Sequence, residues 1–101
     1  MKLITQTLLN RFNEIGEQYE SENPIVIAKF FNPCGAGTWY ATEYDSETGI
    51  CYGYVKGLYE DEWGTFSITE LESVVLPFGM KMERDIHFDE ILFSELKKEL
   101  S

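Results

Sequence analysis

The stretch TWYATEYDSETGICYGYV, residues 38–55, decides the fold because it has the pattern of two strands joined by a turn. Residues 38–44 alternate between two differently built faces, which is the period of a β-strand. One face carries Trp39, Ala41 and Glu43, and the other carries Tyr40, Thr42 and Tyr44. DSETG, residues 45–49, ends in Gly49, which suits the left-handed backbone of a hairpin connection. ICYGYV, residues 50–55, returns as the partner strand, and we expect cross-strand tyrosine pairs to set its register.

Further strand patterns lie on both sides of this hairpin. PIVIAKFF, residues 24–31, is rich in β-branched and aromatic residues and predicts a strand, followed by the turn cluster NPCGAG at 32–37. Residues 58–64 predict an exposed loop that leads into a short strand, GTFSI. VVLP, residues 74–77, predicts an edge strand that stops at its proline. The chain therefore predicts a mainly antiparallel sheet of four to five strands.

Helical patterns occur at both ends of the chain. Apolar residues at helical spacing predict an amphipathic helix from Thr5 to about Gln18, with Thr5 as its cap. Ser67 and Thr69 each precede a glutamate by three residues, and this capping-box spacing predicts a short helix or turn. Residues 88–100 predict a closing helix that has Asp89 near its start. We expect one α+β domain over residues 1–101, in which the N-terminal and C-terminal helices pack on one face of the sheet.

The charge of the chain restricts its partners. Its 101 residues carry 18 acidic and 8 basic side chains, a formal net charge of −10. Such a chain repels phosphate backbones, so we expect no direct binding of nucleic acid. Between Phe30 and Met80, Lys56 is the one cation among eight carboxylates. These are Glu43, Asp45, Glu47, Glu60, Asp61, Glu62, Glu70 and Glu72.

No membrane or export signal is evident in the sequence. No apolar run approaches about 18 residues, and polar residues interrupt the N-terminal segment where a signal peptide needs apolar ones. The two cysteines could form at most one disulfide, whereas small secreted domains usually carry several. We therefore expect a cytoplasmic protein with free thiols and no membrane partner.

Three segments of the chain resemble a known family. GTWYATEYD at 37–45, SITELESV at 67–74 and PFGMKMERDIHF at 77–88 are similar, in order and spacing, to the domain of unknown function 2958 family. Members typically read ATWLLTE, then SLSELE, then PLG followed by ERD and an aromatic residue. The resemblance implies a short, acidic, cytosolic protein, often encoded on plasmids or other mobile elements. It implies no activity and supplies no catalytic residue.

The stretch ERDIHF, residues 83–88, contains the only histidine of the chain. If the segment is a strand, Glu83, Asp85 and His87 share one face, and Arg84 lies on the other. That arrangement would allow a carboxylate to orient the imidazole for acid–base catalysis. However, no activated serine or second histidine accompanies it.

We therefore interpret Glu83, Arg84, Asp85 and His87 as a structural clasp. In this interpretation Arg84 bridges carboxylates of neighbouring segments, because a guanidinium group binds carboxylates in a bidentate manner. Asp85 or Asp89 would accept hydrogen bonds from the backbone where the last helix begins.

Other chemical motifs are incomplete. NPCGAG lacks the glycine spacing of a phosphate-binding loop, and Cys34 within it has no neighbouring base or cation to activate a thiol. DSETG is shorter than a calcium-binding EF-hand loop. One histidine and two separated cysteines do not form a zinc-ligand set. We expect neither a cofactor nor a metal.

YEDEWG, residues 59–64, combines three successive carboxylates with two flanking aromatic residues. Aromatic anchors beside negative charge suit a surface that binds a basic, nucleic-acid-handling protein. The alternative is a solvated loop whose tryptophan turns into the core. The hypothetical partner surface consists of Tyr59, Glu60, Asp61, Glu62 and Trp63, together with Glu43, Asp45 and Glu47.

Two classes of function remain open from the sequence. The first is a non-enzymatic interaction module of a mobile element, such as a DNA mimic or an anti-restriction-type accessory, whose carboxylates imitate phosphates. The second is a ligand-binding domain or minor hydrolase with a concave aromatic pocket. That pocket would be lined by Trp39, Tyr40, Tyr52, Tyr54 and His87. The oligomeric state is open.

Overall fold

A computed structural model describes residues 2–101. The chain forms three α-helices, seven strands and one 3₁₀ turn within these residues. In chain order these are α1 (Gln6–Ile15), β1 (Ile25–Val26), β2 (Ala28–Phe31), β3 (Thr38–Asp45), β4 (Ile50–Lys56), β5 (Glu62–Ser67), α2 (Ile68–Ser73), the 3₁₀ turn (Pro77–Gly79), β6 (Glu83–Arg84), β7 (Ile91–Leu92) and α3 (Phe93–Leu100).

The strands form an antiparallel sheet of five strands in the order β5-β4-β3-β2-β6, and a second sheet in which β1 pairs with β7. The predicted α+β class with a mainly antiparallel sheet is therefore confirmed. The hairpin of β3 and β4 lies at its centre, and Tyr40 pairs directly with Tyr54 as the alternation predicts. Gly49 has φ 73, the left-handed conformation expected for the connection.

The two terminal helices lie on opposite faces of the large sheet, so the prediction that both cover one face is wrong. Phe12 of α1 packs in one core with Trp39, whereas Leu96 of α3 packs in a second core with Tyr40. Adjacent strand residues point to opposite faces. Because β3 carries large rings at consecutive positions, both faces of the sheet need an apolar cover.

Helix α1 begins where its cap predicts and ends earlier than its pattern suggests. The Thr5 Oγ1 accepts a hydrogen bond from the Leu8 N–H at 3.2 Å. At the other end Gly16 takes φ 74, and its N–H donates to the Phe12 carbonyl at 2.8 Å. Glycine tolerates this positive φ, and the backbone leaves the helix here, so Gln18 lies outside it.

The predicted strand 24–31 is divided between the two sheets. The Ile27 N–H donates to the Ala41 carbonyl at 2.9 Å, beside a bulge of β3 between Ala41 and Glu43. A bulge bends the local strand and disrupts the ladder. Residues on one side of Ile27 therefore pair with β7, and those on the other side pair with β3.

Two predictions in the C-terminal half are wrong. Residues 74–77 form no strand, since α2 continues to Ser73 and the 3₁₀ turn begins at Pro77. The closing helix starts at Phe93 because residues 91–92 are held in the small sheet, so Asp89 does not cap it. Its cap comes from a distant loop, where the Asn23 Oδ1 accepts from the Ser94 N–H at 2.9 Å.

Within residues 2–101, no helix has the length and apolar composition that crossing a bilayer requires.

Candidate functional site

Three connections lie together at one end of the five-stranded sheet. The paired residues show that β2 and β4 end at the level where β3, β5 and β6 begin. The connections 32–37 and 57–61, with Glu62 at the start of β5, and the segment 75–82 therefore lie at the same end of the sheet, where 32–37 stands between the other two. We call these residues the loop end.

The connections of the loop end are in contact. The Cys34 Sγ lies 3.8 Å from the Pro77 carbonyl oxygen, and the Leu58 side chain covers Gly37. This end also carries most of the large apolar side chains that face solvent. They are Leu58, Tyr59, Val75, Phe78 and Met80. Exposed apolar area concentrated at one end of a protein is a feature of interaction sites.

The carboxylates of the predicted YEDEWG surface have different environments. Asp61 closes its own hairpin, because its Oδ2 lies 2.9 Å from the Lys56 Nζ and its Oδ1 accepts from the Gly57 N–H at 2.9 Å. Two hydrogen bonds lower the pKa of Asp61, and the bond from Lys56 has a larger effect than the bond from Gly57. Glu60 and Glu62 are exposed and belong to no ion pair among residues 2–101. They supply the uncompensated charge of this loop.

Trp63 does not share a surface with Tyr59. Its ring centroid lies 5.7 Å from that of Tyr52 and 4.7 Å from that of Phe93 at the start of α3. Tyr59 is fully exposed at the tip of the connection. The interpretation in which the tryptophan turns inward therefore describes this loop better than a pair of flanking anchors.

Asp45 and Glu47 lie at the other end of the sheet, and Glu43 lies in β3 on the way to that end, opposite Tyr52. The strand β4 runs from beside Asp45 to Lys56, a span of about 20 Å at roughly 3.3 Å per residue. The six carboxylates of the predicted partner surface therefore form two separate groups. Only Tyr59, Glu60, Asp61 and Glu62 belong to the loop end.

The second group lines an open cleft of about 970 Å³ between the end of α1 and the β3–β4 hairpin. Glu17, Glu43, Asp45 and Glu47 line it, and no lysine or arginine among residues 2–101 does. Its aromatic lining consists of Phe12, Tyr19, Tyr44 and Tyr52. Carboxylates beside aromatic faces are the groups that bind organic cations.

Hydrogen bonds hold two of these carboxylates in place. The Glu43 Oε2 accepts from the Gln18 N–H at 3.0 Å, and the Asp45 Oδ1 accepts from the Glu47 N–H at 2.9 Å. These contacts orient the side chains and leave the wall of the cleft negatively charged.

In the ERDIHF stretch the strand ends sooner than its alternation predicts. β6 comprises only Glu83 and Arg84, because the Asp85 Oδ1 accepts from the His87 N–H at 2.9 Å and so forms a turn. The shared face predicted for Glu83, Asp85 and His87 is therefore wrong. His87 is exposed, and the turn lies well before α3 in the chain.

Arg84 and Asp85 connect distant segments. The Arg84 Nη1 donates to the carbonyls of Lys2 and Leu3 at 3.0 and 3.1 Å. The Asp85 Oδ2 lies 3.6 Å from the Lys29 Nζ of β2. The contacts of Arg84 thus include backbone carbonyls, where the sequence suggested carboxylates, and they join the N-terminal segment to the edge of the sheet.

The alternative aromatic pocket is not assembled. Trp39 belongs to the core under α1, whereas Tyr40 and Tyr54 belong to the core under α3. Consecutive residues of a strand cannot line one face, and His87 is exposed beyond both cores. Of the residues predicted for this pocket, Tyr52 lines the acidic cleft.

Metal-ligand geometry is absent from residues 2–101, where no group of three histidine, cysteine, aspartate or glutamate side chains is arranged to hold an ion.

Both cysteines are free thiols, with Cys34 exposed and Cys51 buried in the core under α1. Burial raises the pKa of the Cys51 thiol, so its reactive thiolate is suppressed and also inaccessible. We expect a disulfide reagent at pH 8 to modify one thiol per folded chain and two after unfolding. A Cys34→Ser variant should show no rapid reaction, and rapid labelling of that variant would contradict the buried position of Cys51.

Phe78 is the most exposed of the loop-end residues that the sequence interpretation did not single out. The sequence feature that could have identified it is the tripeptide Pro-Phe-Gly, in which proline and glycine indicate a turn. An aromatic side chain between turn residues must either pack on a neighbour or face solvent, and Phe78 faces solvent.

Comparison with known proteins identifies a family and no activity. No curated protein and no solved structure matches the chain. A family model described as "Protein of unknown function (DUF2958)" matches residues 3–95 of the 101 residues. The match includes both ends of the sheet and all three segments that carried the resemblance. The chain therefore belongs to the DUF2958 family of proteins of unknown function.

Proposed function

We propose that this protein is a non-enzymatic interaction module that binds a basic protein through its loop end. The observation that carries the proposal is the fully exposed Tyr59 next to Glu60 and Glu62, which are exposed and form no ion pair within residues 2–101. An aromatic ring that faces water is thermodynamically unfavourable in the isolated protein, and its burial in an interface favours association. Its acidic neighbours favour a partner of opposite charge.

The charge of the whole chain supports the same class of partner. A formal net charge of −10 attracts a basic protein over long range and raises the rate of encounter at low ionic strength. Basic proteins that handle nucleic acid meet this requirement. The mobile-element setting implied by the family resemblance would supply such partners.

A DNA mimic is a narrower form of this proposal. Mimicry requires carboxylates at regular spacing along one convex ridge, as phosphates are in a DNA strand. Here Asp45 lies about 20 Å and Glu43 about 13 Å from the loop end by the strand length between them, and both border a cleft with Glu47. Asp61 is neutralised by Lys56. We therefore favour contact through the loop end over imitation of DNA.

The test is a pull-down from host lysate with the double variant Glu60→Gln/Glu62→Gln. This variant spares Asp61, whose contacts close the hairpin. We expect the native protein to capture a basic protein at low salt and to lose it at high salt, because exposed charges are screened. The variant should bind it roughly 10-fold or more weakly, since the steering charges are lost.

Glu20→Gln/Glu22→Gln is the matched control, because both glutamates are exposed and the net charge changes by the same amount. Equal loss of binding in both variants would mean that only overall charge matters and would contradict a site at the loop end. Unchanged binding in the test variant would also contradict it.

A second candidate function is the binding of an organic cation in the acidic cleft. Four carboxylates and four aromatic residues line it without a compensating cation among residues 2–101. Titration calorimetry with spermidine tests this function. We expect Glu17→Gln/Glu47→Gln to weaken spermidine binding roughly 10-fold and Glu60→Gln/Glu62→Gln to leave it unchanged. Equal effects of the two variants, or no binding by the native protein, would rule the cleft out.

A further inference from the structure

Phe78 has an unusual backbone and a fully exposed side chain. Among residues 2–101 it is the one non-glycine residue with positive φ, at φ 61 and ψ 24, and its relative exposure is 100%. Bulky side chains rarely adopt the left-handed region, because the Cβ approaches the following carbonyl oxygen. At Phe78 a disfavoured backbone conformation therefore coincides with an aromatic ring that faces solvent.

The turn that carries Phe78 is closed by its own hydrogen bonds. The Met80 N–H donates to the Pro77 carbonyl at 3.2 Å, and the Leu76 N–H donates to the Met80 carbonyl at 2.8 Å. Gly79 also has positive φ, at 72, and positive φ at both central residues is typical of a type I′ turn. Such turns prefer asparagine where this chain has Phe78, so turn formation alone does not explain the ring.

We propose that Phe78 is a preorganised aromatic anchor that inserts into an apolar pocket, rimmed by basic residues, on the protein bound by the loop end. This inference rests on the proposed function and adds to it the residue that supplies most of the apolar contact. Val75 and Met80 are exposed beside it and extend the apolar area. Glu60 and Glu62 face solvent from the opposite flank of the loop end, on the far side of the connection 32–37, whereas the exposed Lys81 follows the turn. The basic rim is therefore expected on the side of the two glutamates.

Preorganisation explains why strain is retained at this position. A ring that is already held in its bound orientation loses little conformational entropy on association. Strained residues persist where function requires them, and their replacement often stabilises the fold while reducing activity. If Phe78 were only a turn residue, the sequence would gain stability by replacing it.

The first measurement is urea unfolding of Phe78→Asn and Phe78→Ala. Both variants remove the ring, but only asparagine suits the left-handed backbone. We expect Phe78→Asn to raise the ratio of folded to unfolded protein on the order of 5-fold, and Phe78→Ala to change it little. A loss of stability in both variants would show that the ring supports the fold and would overturn the proposal.

The second measurement places the photo-crosslinker benzoyl-phenylalanine at position 59, 78 or 86 in host cells. Ile86 is an exposed apolar control outside the loop end. We expect positions 59 and 78 to crosslink the same basic protein, through a peptide with apolar residues flanked by lysine or arginine, and position 86 not to crosslink it. Crosslinking from position 59 alone would refute the anchor and keep the proposed function. No crosslink from either position, or capture of an acidic protein, would refute both.

Discussion

Gly53→Ala is expected to lower the free energy of unfolding by about 3 kcal/mol or more, since the new methyl group has no space. A Cβ built on Gly53 lies 1.9 Å from the Tyr40 carbonyl oxygen and 2.8 Å from its carbonyl carbon. Both atoms are backbone atoms of the neighbouring strand, so no side-chain rotation relieves the overlap. Relief requires β3 and β4 to separate at the centre of the sheet.

The close approach at Gly53 coincides with the bulge of β3. Gly53 pairs with Ala41, the last residue before the register shifts. On the far side of the bulge, Glu43 faces the acidic cleft. The missing side chain at Gly53 therefore permits the strand geometry that positions one wall of the cleft.

Urea unfolding followed by tryptophan fluorescence measures the effect, and Gly64→Ala is the matched control. Gly64 also lies in the large sheet and pairs with Gly53, but a Cβ there meets nothing within 4 Å. We expect its free energy of unfolding to change by less than about 1 kcal/mol. Equal stabilities of the two variants would contradict the contact between β3 and β4.

Gln18→Leu is expected to destabilise the protein by about 2–4 kcal/mol, because one side chain satisfies three backbone groups. The Gln18 Nε2 donates to the carbonyls of Ile25 and Thr42 at 2.9 and 2.8 Å, and its Oε1 accepts from the Ile25 N–H at 2.8 Å. These bonds join the loop after α1 to β1 and to the bulge of β3. Leucine has a similar size but leaves all three groups without that partner.

Two further variants separate the possible causes of this loss. Gln18→Glu keeps an acceptor for the Ile25 N–H but lacks the amide donor, so we expect an effect of similar size at neutral pH. Gln6→Ala removes one hydrogen bond to Asn10 on an exposed helix face and should cost less than about 1 kcal/mol. Urea midpoints of the three variants are compared with that of the native protein. A midpoint for Gln18→Leu close to that of Gln6→Ala would contradict the connecting role of Gln18.

The sequence-based predictions are accurate for features set by residues close together in the chain and fail for features set by distant residues. The β3–β4 hairpin and the cap of α1 depend on neighbours within a few residues, and the structure has both where the pattern predicts them. The start of α3 depends on pairing with β1 and on Asn23, about 70 residues away, and its prediction was wrong. Local pattern does not report such distant partners.

At the candidate site, too, the features that depend on distant contacts were not predicted. The charge and aromatic content of YEDEWG indicated one surface, but strand alternation turns Trp63 toward Phe93, and Lys56 neutralises Asp61. Asp45 was assigned to that surface by its charge, yet the length of β4 separates the two. The sequence did not predict the exposure of Phe78, because this exposure depends on a left-handed backbone that only the folded turn adopts.

The sequence by itself determined the α+β class, the central hairpin, the acidic charge and the family, because composition and short-range periodicity carry this information along the chain. The tertiary structure decided which faces the helices cover, which carboxylates stand together, and where Phe78 and Gln18 act. These features depend on contacts between segments far apart in sequence, whose free energies are set by packing and hydrogen bonding in the folded chain.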